Sequence, residues 1–207
     1  MKWRVQTFAV VWLAIGLGFV PSLDAQTLTD TSEGVVTLSI PFGNLTPGTS
    51  STPSTTQVQF KLRDSNSSGY HVEASASFSV TPTSSVSGGN TLTASDIGVG
   101  ISLTFGQAVN TPRTDTIATG FNYNPGSITA TNGLSPFTGK SSGRATLADL
   151  VSNPNITILS GPRIAANENT NNANNCITVT MTFGLLGQFF TPATFSGTLT
   201  LTLKNGP

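Results

Sequence analysis

Reactive side chains are scarce in this chain of 207 residues. It has one cysteine and one histidine, and Lys, Arg, Asp and Glu together make up only 9% of it, against roughly 25% in ordinary globular proteins. One cysteine excludes an intrachain disulfide. The formal net charge of zero leaves no basic face, which argues against nucleic acid as a partner. Surface polarity must therefore come from Ser, Thr, Asn and Gly.

The first 25 residues have the layout of a secretory signal peptide. Lys2 and Arg4 form a short positive region, residues 8–20 are an apolar run, and Ala25 is a small residue at a cleavage point. The run is too short to span a bilayer comfortably, which takes about 20 apolar residues; an uncleaved N-terminal anchor is the alternative. We expect a secreted or cell-surface protein with no membrane span after cleavage, and one domain at residues 26–207.

Alternation of apolar and polar residues dominates the region after the predicted signal peptide. Its clearest example is residues 195–204, where Leu199, Leu201 and Leu203 alternate with threonines and a lysine. Such a period of two is typical of strands with one face in a core and one in water. Strands are predicted at 36–42, 58–63, 70–80, 97–105, 177–183 and 195–204, with shorter ones at 116–121, 127–131 and 156–159. About nine short strands separated by turn signals predict an all-β fold, an antiparallel β-sandwich that is Ig-like or jelly-roll-like.

One short segment has the pattern of a helix. Thr146 and Asp149 have the spacing of a capping box, and Leu147, Leu150 and Val151 fall on one helical face. Pro154 limits the segment to one or two turns. We expect this single short helix to close one end of the sandwich.

The lone histidine gives the one pattern of catalytic interest. His71 and Glu73 are two apart on the outward face of a predicted strand, and a His–carboxylate pair can orient a general base. Catalysis by this pair would also need a nucleophile and an oxyanion arrangement, and a zinc site needs three or four ligands. We therefore interpret His71 as a solvated strand residue. The sequence predicts no enzyme and assigns no catalytic, metal or cofactor residue.

A second pattern resembles half of a calcium-binding loop. Asp64, Asn66, Ser68 and Gly69 fit its first positions, but Ser75 stands where a bidentate glutamate is required. The alternative is a hairpin turn in which Asp64 and Asn66 bond their own backbone and Gly69 adopts positive φ. We favour the turn, because the loop lacks its last ligand.

The cysteine follows a loop rich in asparagine. Residues 167–175 form a predicted polar loop, and Cys176 is out of phase with the apolar residues Ile177 and Val179. We expect it on the opposite face of the strand, near the strand's start. With no histidine or basic cluster nearby in sequence, a free or intermolecularly paired thiol is favoured over a catalytic one.

Four parts of the chain form a recognisable pattern. They are IPFGNLTPG at residues 40–48, the strand from Val58 to Arg63, Ser65-Asn66 with the strand from Tyr70, and FSGTLTLTL at residues 195–203. The pattern resembles secreted bacterial surface β-sandwich domains of the pilin-like, spore-coat-U and WxL types. It implies a structural or adhesive role at the cell surface, as a subunit of a surface appendage or coat.

The partners expected from these observations are other copies of the chain or surface glycans. Self-association by strand addition uses main-chain hydrogen bonds, and self-association through Cys176 uses a disulfide. The alternative function is an extracellular carbohydrate- or ligand-binding module. Both tryptophans, Trp3 and Trp12, lie in the predicted signal peptide, which counts against sugar binding on a Trp platform.

Overall fold

The chain forms two β-sheets and one short α-helix. The computed structural model describes residues 26–29, 34–44, 53–82, 91–107, 109, 112–128, 143–165, 176–185 and 193–206. The predicted signal peptide, the asparagine-rich loop at 167–175 and most of the predicted strand at 127–131 lie outside the described residues.

Nine strands lie in the described part of the chain. They are β1 (Gln26–Thr29), β2 (Val35–Ser39), β3 (Ser54–Arg63), β4 (Tyr70–Pro82), β5 (Ile97–Phe105), β6 (Thr116–Ile117), β7 (Ile156–Gly161), β8 (Ile177–Leu185) and β9 (Ala193–Asn205); helix α1 spans Leu147–Ser152. One sheet has the order β1-β3-β8-β5 and the other β2-β9-β4-β7-β6. Every strand pairing is antiparallel except that of β1 with β3. The predicted all-β sandwich fold is confirmed, and neither sheet closes into a barrel.

The core lies between the sheets and is built by the alternation seen in the sequence. In β9, Leu199, Leu201 and Leu203 are buried, and the threonines between them are half-buried on the other side. β4, the longest partner of β9, buries Tyr70 and Val72 in the same way. Each fully buried side chain of this size contributes about 1.5–3 kcal/mol, so the alternating strands supply most of the driving force for folding.

Helix α1 begins where its capping box predicts. The Asp149 carboxylate accepts hydrogen bonds from the Thr146 amide at 2.8 Å and from the Thr146 hydroxyl at 3.1 Å. Leu147 and Leu150 are buried as predicted, but the prediction that Val151 shares their face is wrong, since Val151 is exposed. The helix contacts β4 of one sheet and β5 of the other, so it fills the space between the two sheets.

Two of the shorter predicted strands are wrong in extent or type. The strand predicted at 116–121 stops after Ile117, and a 3-10 helix, Pro125–Ser127, stands where the strand at 127–131 should begin. The cause is tertiary, because Phe121 turns into the core and its carbonyl accepts the Ile101 amide of β5 at 2.8 Å. Strand β1 was not predicted from its polar sequence and forms by pairing with β3.

Candidate functional site

The single histidine is held in a small polar cluster on the outer side of the five-stranded sheet. Its Nδ1 lies 2.6 Å from the Gly206 carbonyl, and its Nε2 lies 3.7 Å from Oε1 of Glu73. Lys204 Nζ lies within hydrogen-bond distance of both carboxylate oxygens of Glu73, at 2.9 Å from Oε1 and 2.8 Å from Oε2. Both imidazole nitrogens of His71 thus face an oxygen acceptor. The arrangement ties the end of β9 to β4, and the contacts of the ring within the described residues are with a carbonyl and a carboxylate.

The segment that resembles a calcium loop is a turn stabilised by its own side chains. Asp64 Oδ1 accepts the Asn66 amide at 3.0 Å, and Asn66 Oδ1 accepts the Ser68 amide at 2.9 Å. The Gly69 amide closes the turn on the Asn66 carbonyl at 3.1 Å, with φ of 80°. Asp64 Oδ1 and Asn66 Oδ1, which would ligate a cation in a calcium loop, therefore accept hydrogen bonds from backbone amides in this turn. Within the described residues no three His, Cys, Asp or Glu side chains cluster as metal ligands do.

Cys176 stands immediately before β8 and is buried. The residue is only 1% exposed. The chain after β5 folds back beside it, since the Gly106 amide donates to the Cys176 carbonyl at 3.0 Å and the next turn buries Val109. A thiol this deeply buried cannot join two chains unless the fold opens locally, so self-association through Cys176 is not supported.

A buried ionic cluster that the sequence did not predict lies beside β7. Arg113 donates to both carboxylate oxygens of Asp115, at 2.6 and 2.7 Å, and to the carbonyls of Arg163 and Pro162 at 2.8 and 2.9 Å. The Tyr70 hydroxyl donates to Asp115 Oδ1 at 2.6 Å. The only hint in the sequence was two opposite charges two residues apart.

The electrostatics of this cluster are those of a structural clamp. Burial, reinforced by the negative charge of Asp115, raises the pKa of the Tyr70 phenol. Burial alone lowers the pKa of the Arg113 guanidinium, but the hydrogen bonds and charge of Asp115 outweigh it and the net shift is upward. Tyr70 therefore stays neutral and Arg113 stays charged. Since their hydrogens are directed at internal acceptors, the cluster binds the segment before β6 to the end of β7.

A cavity of about 260 Å³ opens beside helix α1. Phe121, Ala145 and Ile156 supply much of its apolar wall, and Arg144 and Asp149 are its charged residues. The Asp149 carboxylate already caps the helix, so it is not free to act on a ligand. The cavity brings together no pair of groups that could carry acid–base chemistry.

The outer surface of the five-stranded sheet is covered with hydroxyl groups. Along β4 and β9 the outward side chains are serine or threonine at almost every position, and cross-strand hydrogen bonds join Ser77 to Thr198 at 2.8 Å and Ser79 to Ser196 at 2.6 Å. We call this surface the hydroxyl face. Its members are Thr37, Ser39, Ser75, Ser77, Ser79, Thr81, Thr157, Thr194, Ser196, Thr198, Thr200 and Thr202. The face is uncharged except at the end that carries His71, Glu73 and Lys204.

Strand β2 is one edge of the five-stranded sheet, and among the described strands of that sheet it pairs with β9 alone. The Leu203 amide donates to the Gly34 carbonyl at 2.9 Å, just before β2 begins. The Ile40 amide donates to the Gly197 carbonyl at 3.0 Å, just after β2 ends. These two bonds show that the even-numbered residues of the strand bond to β9.

The odd-numbered residues of β2 turn their backbone away from the sheet. In an antiparallel ladder the residues alternate between bonding toward a partner strand and away from it. Val35, Thr37 and Ser39 therefore point N–H and C=O groups outward, and among the described residues these groups have no backbone partner. All three side chains are exposed, Val35 by 61%. We call these three residues the β2 edge.

The corresponding edge of the four-stranded sheet is partly covered. The outward amides of Val99 and Ile101 in β5 donate to the carbonyls of Ala145 and Phe121, at 3.0 and 2.8 Å. A half-buried tyrosine holds this cover in place, because the Tyr123 hydroxyl donates to the Ala145 carbonyl at 2.8 Å. Irregular chain thus satisfies the backbone of β5 where it leaves that of β2 open.

Two further observations bear on what the chain is. Within the described part, no helix is long and apolar enough to cross a membrane. Function must be argued from the geometry above, because no protein-family model, no curated protein and no solved structure matches this chain.

Proposed function

We propose that this chain is a secreted or cell-surface structural or adhesive protein that assembles through an edge of its β-sandwich. The observation that carries the proposal is the β2 edge, where Val35, Thr37 and Ser39 direct backbone donors and acceptors away from the sheet and have no backbone partner among the described residues. An exposed row of this kind is a ready template for another strand. Addition of a strand by main-chain hydrogen bonds is a recurring mode of protein association.

The chemistry of the rest of the described surface supports the same proposal. The polar clusters around His71, Asp64 and Arg113 each direct their side chains at internal partners. What remains exposed on the five-stranded sheet is a neutral array of hydroxyl groups. Such a surface is suited to packing and adhesion, since bringing two copies together desolvates few charges.

The state of association tests the proposal directly. The protein is purified after secretion, its N-terminus is read by mass spectrometry, and its mass is followed by light scattering across a wide range of concentrations, with negative-stain microscopy of the concentrated sample. We expect species larger than the monomer at high concentration. Monomers throughout, with the N-terminus intact, would contradict an assembly function.

An edge-blocking variant shows whether β2 carries the association. Thr37→Pro removes one outward N–H and no bond to β9, and proline is tolerated at such edge positions. Thr37→Ala is the matched control, because it keeps the backbone donor. We expect Thr37→Pro to weaken association severalfold and Thr37→Ala to leave it unchanged, with both variants melting as folded proteins.

A carbohydrate-binding module is the second candidate, and the hydroxyl face is the observation that favours it. An uncharged surface of regularly spaced hydroxyls can exchange hydrogen bonds with a neutral glycan. The aromatic residues nearest to this sheet do not offer a stacking platform, since Phe78 packs edge-on against Phe42 at 5.3 Å and parallel to Phe195 at 6.3 Å, in the core cluster. A glycan array tests this candidate, and binding that is lost on Thr198→Lys and kept on Gln59→Lys would favour it.

A further inference from the structure

The β2 edge is complementary to itself. Its three outward positions are spaced evenly about Thr37, with Val35 on one side and Ser39 on the other. A second copy related by a two-fold axis therefore places its Ser39 opposite Val35 and its Thr37 opposite Thr37. Each opposed pair exchanges two hydrogen bonds, so the three pairs form about six bonds between the copies.

Within the described residues, β2 itself carries none of the features that protect an edge strand. Natural edge strands are usually protected by charged side chains, proline or a bulge, and β2 pairs with β9 in unbroken register and contains none of these. The neighbouring outward residues on β9, Thr200 and Thr202, are also neutral. The nearest charged residue on the same face of the described sheet is Lys204, on β9 beyond the β2 end of the ladder, and it is paired with Glu73 of β4.

A folded second copy fits the edge better than a flexible peptide. An unstructured peptide must lose conformational entropy when it becomes a strand. The β2 edge of a second copy is already extended, because its bonds to β9 fix its backbone. Two preformed edges of equal length therefore associate at a smaller entropic cost, and an isologous contact of this kind is the commonest in homo-oligomers.

We infer that two copies pair β2 with β2, antiparallel and about a two-fold axis at Thr37, so that two five-stranded sheets become one sheet of ten strands. The inference rests on the proposed assembly function and names its partner. It also limits the size of the assembly, because in the dimer the β2 edge of each copy is already paired with that of the other. Growth beyond the dimer must then use another surface, and the hydroxyl faces of the two copies become continuous.

Disulfide trapping tests the register. Directly opposed residues that exchange hydrogen bonds have Cα atoms about 5.5 Å apart, which is within the range that a disulfide can bridge. Thr37→Cys is made in a Cys176→Ala background, so that the new thiol is the only one. Ser77→Cys in the same background is the matched control, since it is equally exposed on the hydroxyl face but lies in β4, two strands from the edge. Both are oxidised at a concentration where association is seen.

The expected result is a covalent dimer with Thr37→Cys, several times more abundant than with Ser77→Cys and reversed by reductant. Equal cross-linking of the two variants would overturn the inference. Association that is blocked by Thr37→Pro but not trapped by Thr37→Cys would also overturn it, while leaving assembly through the β2 edge intact. A protein that stays monomeric in every measurement would overturn both the inference and the proposed function.

Discussion

Tyr70 and Asp115 are joined by a hydrogen bond of 2.6 Å between the phenol and the carboxylate, although they are 45 residues apart in sequence. Tyr70 is the first residue of β4, and Asp115 comes immediately before β6 at the far edge of the same sheet. With Arg113 they form a cluster that is almost fully enclosed. The cluster holds an otherwise irregular segment against the end of β7.

The clamp predicts a large loss of stability on Asp115→Ala. The change leaves the Arg113 guanidinium buried without its counterion and the Tyr70 hydroxyl without its acceptor. Breaking one side of a buried pair costs about 3–5 kcal/mol, and denaturant unfolding followed by circular dichroism measures it. Asp96→Ala is the control, because Asp96 accepts from Thr93 in a more open 3-10 cap, where a loss of about 1 kcal/mol is expected. Equal losses for the two variants would contradict the clamp.

Stability should fall steeply at alkaline pH. Burial is the main cause that raises the pKa of both Tyr70 and Tyr123. In the unfolded chain each phenol loses its proton near pH 10. In the folded protein each phenol is still protonated at that pH, because its pKa is raised. Above about pH 10 the unfolded state therefore binds fewer protons and is favoured, and below it this contribution to stability is fully present.

Ionisation of the two phenols can be followed by absorbance. The chain has only two tyrosines, so the absorbance of ionised tyrosine should rise together with the loss of β-sheet signal. Tyr123→Phe should reduce the steepness of the alkaline decline, since one of the two linked protons is removed. Ionisation of both phenols in a protein that remains folded would refute this account.

Gly100 should not tolerate a side chain. It lies on the outer face of β5 against the segment that covers this sheet, and a Cβ there would overlap the Tyr123 carbonyl and come within 2.6 Å of Pro125 Cδ. We expect Gly100→Ala to destabilise the protein by about 1–3 kcal/mol, as other overpacked sites do. Gly43→Ala is the control, because nothing lies within 4 Å of its added Cβ. Thermal melts of the two variants that shift equally would disprove the close packing.

Cys176 should react slowly with thiol reagents in the folded protein. Its side chain is buried, so modification requires local opening of the fold, and the rate should rise by orders of magnitude in denaturant. Non-reducing gels of the wild-type protein should show monomer. Fast modification of the native protein, or a wild-type dimer that dithiothreitol removes, would mean that the thiol is accessible.

The strands could be predicted from the sequence because burial on one face of a sheet imposes a period of two. Leu199 and Leu201 had to face inward together, whichever strand was their neighbour. Helix α1 could be predicted because the Thr146–Asp149 cap is a local contact. The same reasoning failed for residues 118–121, where packing of Phe121 against β5 outweighs the local preference for a strand.

Amphipathic alternation, a neutral composition and a capped helix were thus determined by the sequence itself, since each depends on residues within a few positions of one another. Only the tertiary structure decided that Cys176 is enclosed and that Tyr70, Arg113 and Asp115 form one cluster. It also decided that the backbone of β5 is partly covered while the β2 edge is open. These outcomes depend on which distant segment packs over a strand, and the pattern along the strand does not contain that information.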